Sequence, residues 1–201
     1  MLTIGSRAFG ACTGLTNVYI GRSVTHILVR AFDGCTALTS AVIPDSVSTI
    51  GDYAFNNCTS LETAEIGNGV TSIGNWAFLN NTALTRVMFR GDAPVVAAGT
   101  FNNTSPVMYH RFAASDWESE FAGHPTAIWP EVLHMDRAAD QFTLHLVASD
   151  EQDVVVQQTP YLPGAIWTSV STNTMTGAPV EVTFADPEIH PLAVFRAVLQ
   201  E

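Results

Sequence analysis

The 201-residue sequence contains no lysine; its eight basic residues are all arginine, set against 19 acids for a net charge of −11. The imbalance is uneven, with six Arg and nine acids in residues 1–130 but two Arg and ten acids in residues 131–201. An acidic surface of this kind excludes nucleic acid and anionic membrane surfaces as partners, because both need clustered cations. Long apolar runs are also missing: none approaches the roughly 18 residues of a spanning helix, so no membrane span is expected. Only three cysteines occur, Cys12, Cys35 and Cys58, with no Cys-x-x-Cys pair to suggest zinc. The histidines, at 26, 110, 124, 134, 145 and 190, show no metal-ligand spacing. Charged residues make up 13% and apolar residues 47%, the balance of a folded chain.

Catalytic patterns are absent as well. There is no Gly-x-Ser-x-Gly, His-Glu-x-x-His, P-loop or EF-hand run. Gly67-Asn68-Gly69 reads as a turn between strands, and Asp150, Glu151 and Asp153 read as a solvated hairpin tip. The sequence therefore predicts no enzyme, no catalytic residue, no metal and no cofactor.

What the chain does have is a repeat. Ala-Phe recurs every 23 residues at Ala8-Phe9, Ala31-Phe32, Ala54-Phe55 and Ala77-Phe78, with a degenerate copy at Thr100-Phe101. Other columns keep the same period: Ile4, Ile27, Ile50 and Ile73; Leu15, Leu38, Leu61 and Leu84; Ile20, Ile43, Ile66 and Phe89. The cysteines form a further column, continued by Asn81, and read as small buried thiols rather than disulfides. A fixed period of this length predicts a solenoid, in which each coil buries its apolar side only by stacking on the next. Within one coil, Leu38–Ile43 alternates like a strand and Pro44-Asp45 marks a bend. Val47 and Ile50 belong to a second extended piece, and residues 52–57 read as one helical or 3₁₀ turn. The ladder Thr25, Ser48 and Thr71 reads as solvent-facing filler.

The run Val47-Ser48-Thr49-Ile50-Gly51-Asp52-Tyr53-Ala54-Phe55-Asn56-Asn57-Cys58-Thr59-Ser60-Leu61 resembles the BspA-like leucine-rich repeats, as does Val70-Thr71-Ser72-Ile73-Gly74-Asn75-Trp76-Ala77-Phe78. The resemblance covers residues 1–105. It departs from the commoner leucine-rich pattern, since Ser23, Ser46 and Gly69 stand where that pattern has Asn or Cys. The resemblance implies adhesion to host proteins or other cells, a cell-surface or extracellular location, and no catalytic residues. No signal peptide is visible at Met1, so the expectation is a fragment or domain of a longer surface protein. A first coil without a cap would invite end-to-end self-association.

Residues 106–130 are expected to close the solenoid, with Trp117, Phe121 and Trp129 laid over the open core; the alternative use of the two Trp is sugar stacking. Residues 131–201 predict a small antiparallel, β-sandwich-like domain, with strands at Phe142–Ala148, Val154–Thr159, Ile166–Thr172, Val180–Ala185 and Ala193–Leu199. The segments Trp167-Thr168-Ser169-Val170, Phe184-Ala185-Asp186-Pro187 and Phe195-Arg196-Ala197-Val198 resemble a C-terminal β-module of secreted proteins from environmental bacteria, over residues 140–200.

The candidate binding face is the strand ribbon. With Ala or Val and Ile turned inward, the alternating residues point out: Asn17, Tyr19, Ser40, Val42, Thr63, Glu65, Arg86 and Met88. They vary while the inward columns do not, as a protein- or glycan-binding strip would. A passive spacer or display module, and a glycan-binding accessory, are the rival readings.

Overall fold

A computed structural model describes residues 2–111, 113–138, 141–148, 153–160, 168–175, 180–185 and 193–199. The chain divides into two compact units, Met1–Ala127 and Ile128–Glu201.

The first unit is a solenoid with two parallel sheets. One contains β1 (Leu2–Ile4), β2 (Val24–Ile27), β4 (Thr49–Ile50), β6 (Ser72–Ile73) and β8 (Val95–Val96), in that order. The other runs from β3 (Ser40–Ile43) through β5 (Thr63–Ile66), β7 (Arg86–Phe89) and β9 (Val107–His110) to the antiparallel pair β11 (His124–Ile128) and β10 (Glu120–Phe121). Register follows the sequence columns: Ala41 faces Ala64 and Ile43 faces Ile66, 23 residues on. The period shortens at β9, where Arg86 pairs with Val107, so the columns slip just where they fade from the sequence.

The third side differs from the expected helical turn. Among the described residues there is no helix. Two positions per coil are left-handed instead: Arg7, Arg30, Tyr53 and Trp76 have φ of 53–57°, and Ala11, Asn57, Asn80 and Asn103 have φ of 55–61°. Residues in that region cannot continue a right-handed helix. The backbone between them alternates its donors. The N–H groups of Tyr53, Phe55 and Asn57 reach the next coil, bonding the carbonyls of Asn75, Ala77 and Leu79, while those of Ala54 and Asn56 turn back to Gly51 and Tyr53. Through the middle coils the stack is thus hydrogen-bonded on all three sides, which satisfies backbone that would otherwise be buried unpaired.

The core is one continuous column stack. Phe9, Phe32, Phe55, Phe78 and Phe101 lie with successive centroids 4.9–5.3 Å apart and ring planes within 10°. Phe32, Phe55 and Phe78 are fully buried, whereas Phe9, on the outermost coil, is 38% exposed. Cys35 and Cys58 are buried free thiols, each donating to a Phe carbonyl one coil back, and Cys12 is exposed. The expectation of core thiols therefore fails for Cys12, which has a neighbouring coil on one side only.

The second unit is built from antiparallel pairs. β12 (Glu131–Ala138), β13 (Gln141–Val147) and β16 (Val180–Ala185) form one sheet; β15 (Thr168–Thr174), β14 (Asp153–Pro160) and β17 (Ala193–Leu199) form another. β12 was not legible beforehand, because charges interrupt its alternation, and a bulge at Val132/His134 breaks its register. Trp167, Ile166, Asp150, Glu151 and His190 lie outside the described residues.

Candidate binding face

The inward and outward sets of the ribbon separate as the alternation requires. Ala41, Ile43, Ala64, Ile66, Val87 and Phe89 are buried. Ser40, Thr63, Glu65, Arg86 and Met88 are half-buried and Val42 is exposed, on the opposite face of β3, β5 and β7. Register puts Ser40, Thr63 and Arg86 in one row across the strands, and Val42, Glu65 and Met88 in another. Two of the eight candidates are not on a strand. Asn17 and Tyr19 are exposed in an extended segment before Ile20 that does not join the sheet, so the ribbon begins at β3 and not at the first coil.

A concavity of about 670 Å³ opens where that ladder is missing. Four of the candidates line it (Asn17, Tyr19, Ser40 and Val42), with Arg22 on the rim and Ile20 behind. Tyr19 is 87% exposed and Val42 49%. Thr63, Glu65, Arg86 and Met88 lie on the ribbon outside the cavity lining.

Arg90, absent from the sequence-based set, closes the far side. Its guanidinium pairs with Glu65 on the preceding coil and reaches Asp45, two coils back, at 3.9 Å. No column signal marked Arg90, because Pro44 and Gly67 hold the same position in earlier coils. Asp45 also accepts the Asn68 N–H at 2.9 Å, and Asp92 repeats the device one coil pair later by accepting the Ser115 N–H at 2.7 Å. That bond from Ser115 holds the Asp92 carboxyl below its usual range.

On the other sheet, Thr25, Ser48 and Thr71 are not filler. The Ser48 hydroxyl donates to Thr25 O at 3.1 Å, the Thr71 hydroxyl to Ser48 O at 3.3 Å, and the Thr25 hydroxyl to Leu2 O at 3.1 Å. Each hydroxyl thereby ties its coil to the one before.

At the far end, Trp117 packs on Phe89 (4.9 Å) and Phe121 (4.8 Å) and stacks on His110, its indole donating to Gly91 O at 3.3 Å. Both Trp117 and Phe121 pack against the core cluster. That arrangement meets the need for a lid over the last coil and commits the indole face to protein contacts. No group of three or more His, Cys, Asp or Glu side chains that could hold a metal occurs among the described residues.

A family model described as BspA type leucine rich repeat region, in six copies, matches residues 2–115. The chain belongs to this family. The BspA-type match spans all the stacked coils and ends near β9, so the likeness of the C-terminal stretch to a bacterial β-module finds no support from it. No curated protein and no solved structure matches the chain. No helix among the described residues is long and apolar enough to cross a membrane.

Proposed function

We propose that this protein is a non-catalytic binding module that works outside the cell or at its surface, and that it recognises a protein or glycan through the outward face of β3, β5 and β7. The observation that carries the reading is the division of labour along the ribbon. Every inward position is buried and nearly invariant in kind, whereas the outward set mixes Ser, Val, Thr, Glu, Arg and Met on a rigid backbone. Rigid strands holding a varied set of side chains lose little conformational entropy on binding. BspA-type repeats form a stack of coils, and such stacks present extended surfaces suited to macromolecular ligands.

The test uses the full chain and a panel of extracellular-matrix proteins and glycans immobilised for surface plasmon resonance. A ligand whose affinity falls by about tenfold or more on Thr63→Arg and Met88→Arg, with thermal unfolding unchanged, supports the reading. Panel ligands that bind both variants as well as wild type would move the site off the ribbon. The spacer reading predicts no ligand at all.

A further inference from the structure

The first end of the solenoid carries the opposite charge to the rest of the chain. Residues 1–32 contain Arg7, Arg22 and Arg30 and no acid, whereas residues 33–201 hold five Arg and all 19 acids. A local excess of this sign favours an anionic ligand at that end. The concavity of about 670 Å³ lies there. Residues 17–20 form its wall beside β3, held in place by Val18 packed on the core and Ile20 buried in it. Alternation then turns Asn17 and Tyr19 outward from an anchored backbone.

Tyr19 is an exception among the rings of the first unit. The described Phe and Trp residues there, and Tyr53, all pack against another ring. Tyr19 is 87% exposed and has no ring neighbour among the described residues. Around it, the side chains of Asn17, Arg22 and Ser40 make no hydrogen bond or ion pair with another described residue. The acid in the lining, Asp45, is already committed: it accepts the Asn68 N–H at 2.9 Å and faces the Arg90 guanidinium at 3.9 Å. Arg90 is in turn paired with Glu65, so Arg22 is the unbalanced charge of the site.

We propose that this concavity binds an acidic glycan, with one sugar ring on Tyr19, its hydroxyls on Asn17 and Ser40, and a carboxylate or sulfate on Arg22. The proposal rests on the binding reading above and narrows its ligand to this class. An open aromatic face is negative and meets the C–H face of a sugar. Amide and hydroxyl side chains both donate and accept, as sugar hydroxyls do. A guanidinium holds a planar anion through two parallel N–H bonds. The volume falls within the about 300–1,000 Å³ of small-ligand sites, which suits a short oligosaccharide rather than a folded protein surface. An extended peptide has no strand position to take, because residues 17–20 already fill the space beside β3.

The experiment screens the full chain against an array of uronate-containing, sialylated, sulfated and neutral oligosaccharides, then measures the retained glycans by isothermal titration calorimetry. Acidic glycans should be retained and their neutral counterparts should not. Affinity should fall by about tenfold or more on Tyr19→Ala and on Arg22→Gln, and weaken as sodium chloride rises. Tyr19→Phe, which keeps the ring, should bind like wild type. Reducing the carboxyl of a retained glycan, or removing its sulfate, should cost as much as Arg22→Gln and add nothing in that variant. Those two arms identify which anion the site takes. No acidic glycan retained, or retained glycans indifferent to Tyr19→Ala and Arg22→Gln, overturns the proposal. Equal losses on Arg7→Gln and Arg22→Gln, which would mean diffuse attraction, also overturn it. So does a peptide or protein lost on Tyr19→Ala with no acidic glycan retained. Panel ligands lost on Thr63→Arg without acidic-glycan retention leave the wider reading standing and sink this one. Acidic glycans lost on Tyr19→Ala but spared by Thr63→Arg and Met88→Arg uphold this proposal and remove the rest of the ribbon from recognition. Both Arg22 and Tyr19 are exposed, so neither substitution disturbs the core.

Discussion

Gly99 lies directly beneath the indole of Trp76: a β-carbon on Gly99 would stand 2.6 Å from Trp76 Nε1 and 2.8 Å from Cδ1. Gly99 also occupies, with φ of +66°, the left-handed position that Arg7, Arg30, Tyr53 and Trp76 fill in the earlier coils. On the opposite side of Trp76 the same column continues as a stack through the preceding coils. Tyr53 lies 5.2 Å from the indole and the Arg30 guanidinium 4.8 Å from the Tyr53 ring.

Gly99→Ala should therefore destabilise the solenoid by about 2–3 kcal/mol, part from backbone strain and part from the displaced indole. Urea unfolding of Gly99→Ala, Trp76→Ala and the double variant separates the two. The double variant should recover the packing part and retain about 1 kcal/mol of strain. Simple additivity would show that the ring does not rest on the glycine.

Phe55 is buried between two stacked rings, whereas Phe9 has one neighbour and is partly open to solvent. Phe55→Ala should cost about 3–5 kcal/mol, and Phe9→Ala less than half of that. Equal losses in denaturant unfolding would contradict a stack that is tightest in its middle coils.

These columns were legible in the sequence because a solenoid repeats the same contact in every coil, so one physical demand is written four or five times. The left-handed corner was not legible. Arg30, Tyr53 and Trp76 carry none of the glycine or asparagine signal that such φ values attract, and hydrogen bonding to the next coil overrides their local preference. The missing ladder beside β3 was not legible either, since Val18 and Ile20 keep the apolar columns of Ala41 and Ile43. Side-chain direction along β3, β5 and β7 followed from alternation alone. The reach of Arg90 across two coils did not, since long flexible side chains leave no periodic mark.

Burial pushes the Cys58 thiol up to about 12 from 9.0, with the Cys35 thiol adding to the shift. The folded chain keeps this proton where the unfolded chain releases it, so the associated stability is complete below about pH 9 and falls as pH rises toward 12. Urea midpoints measured from neutral pH to about pH 11 should decline for wild type and decline less for Cys58→Ala. At neutral pH a thiol-labelling reagent should modify Cys12 alone until the chain unfolds, because Cys35 and Cys58 are buried. Labelling of all three at the same rate would refute the packing.

Arg90→Ala should cost less than about 1 kcal/mol, and the loss should vanish in concentrated salt, since the Arg90, Glu65 and Asp45 side chains remain solvent-accessible. Thermal unfolding at low and high sodium chloride reads this directly. A larger, salt-insensitive loss would mean that the arginine stem, rather than its charge, holds the coils together.

All the inter-coil bonds on the three sides run along one axis, and each coil touches only its neighbours through them. Length is consequently a free variable in this architecture. A duplication of twenty-three codons inserts a layer without turning any side chain to a different face. Such a gene can extend its reach by copying part of itself.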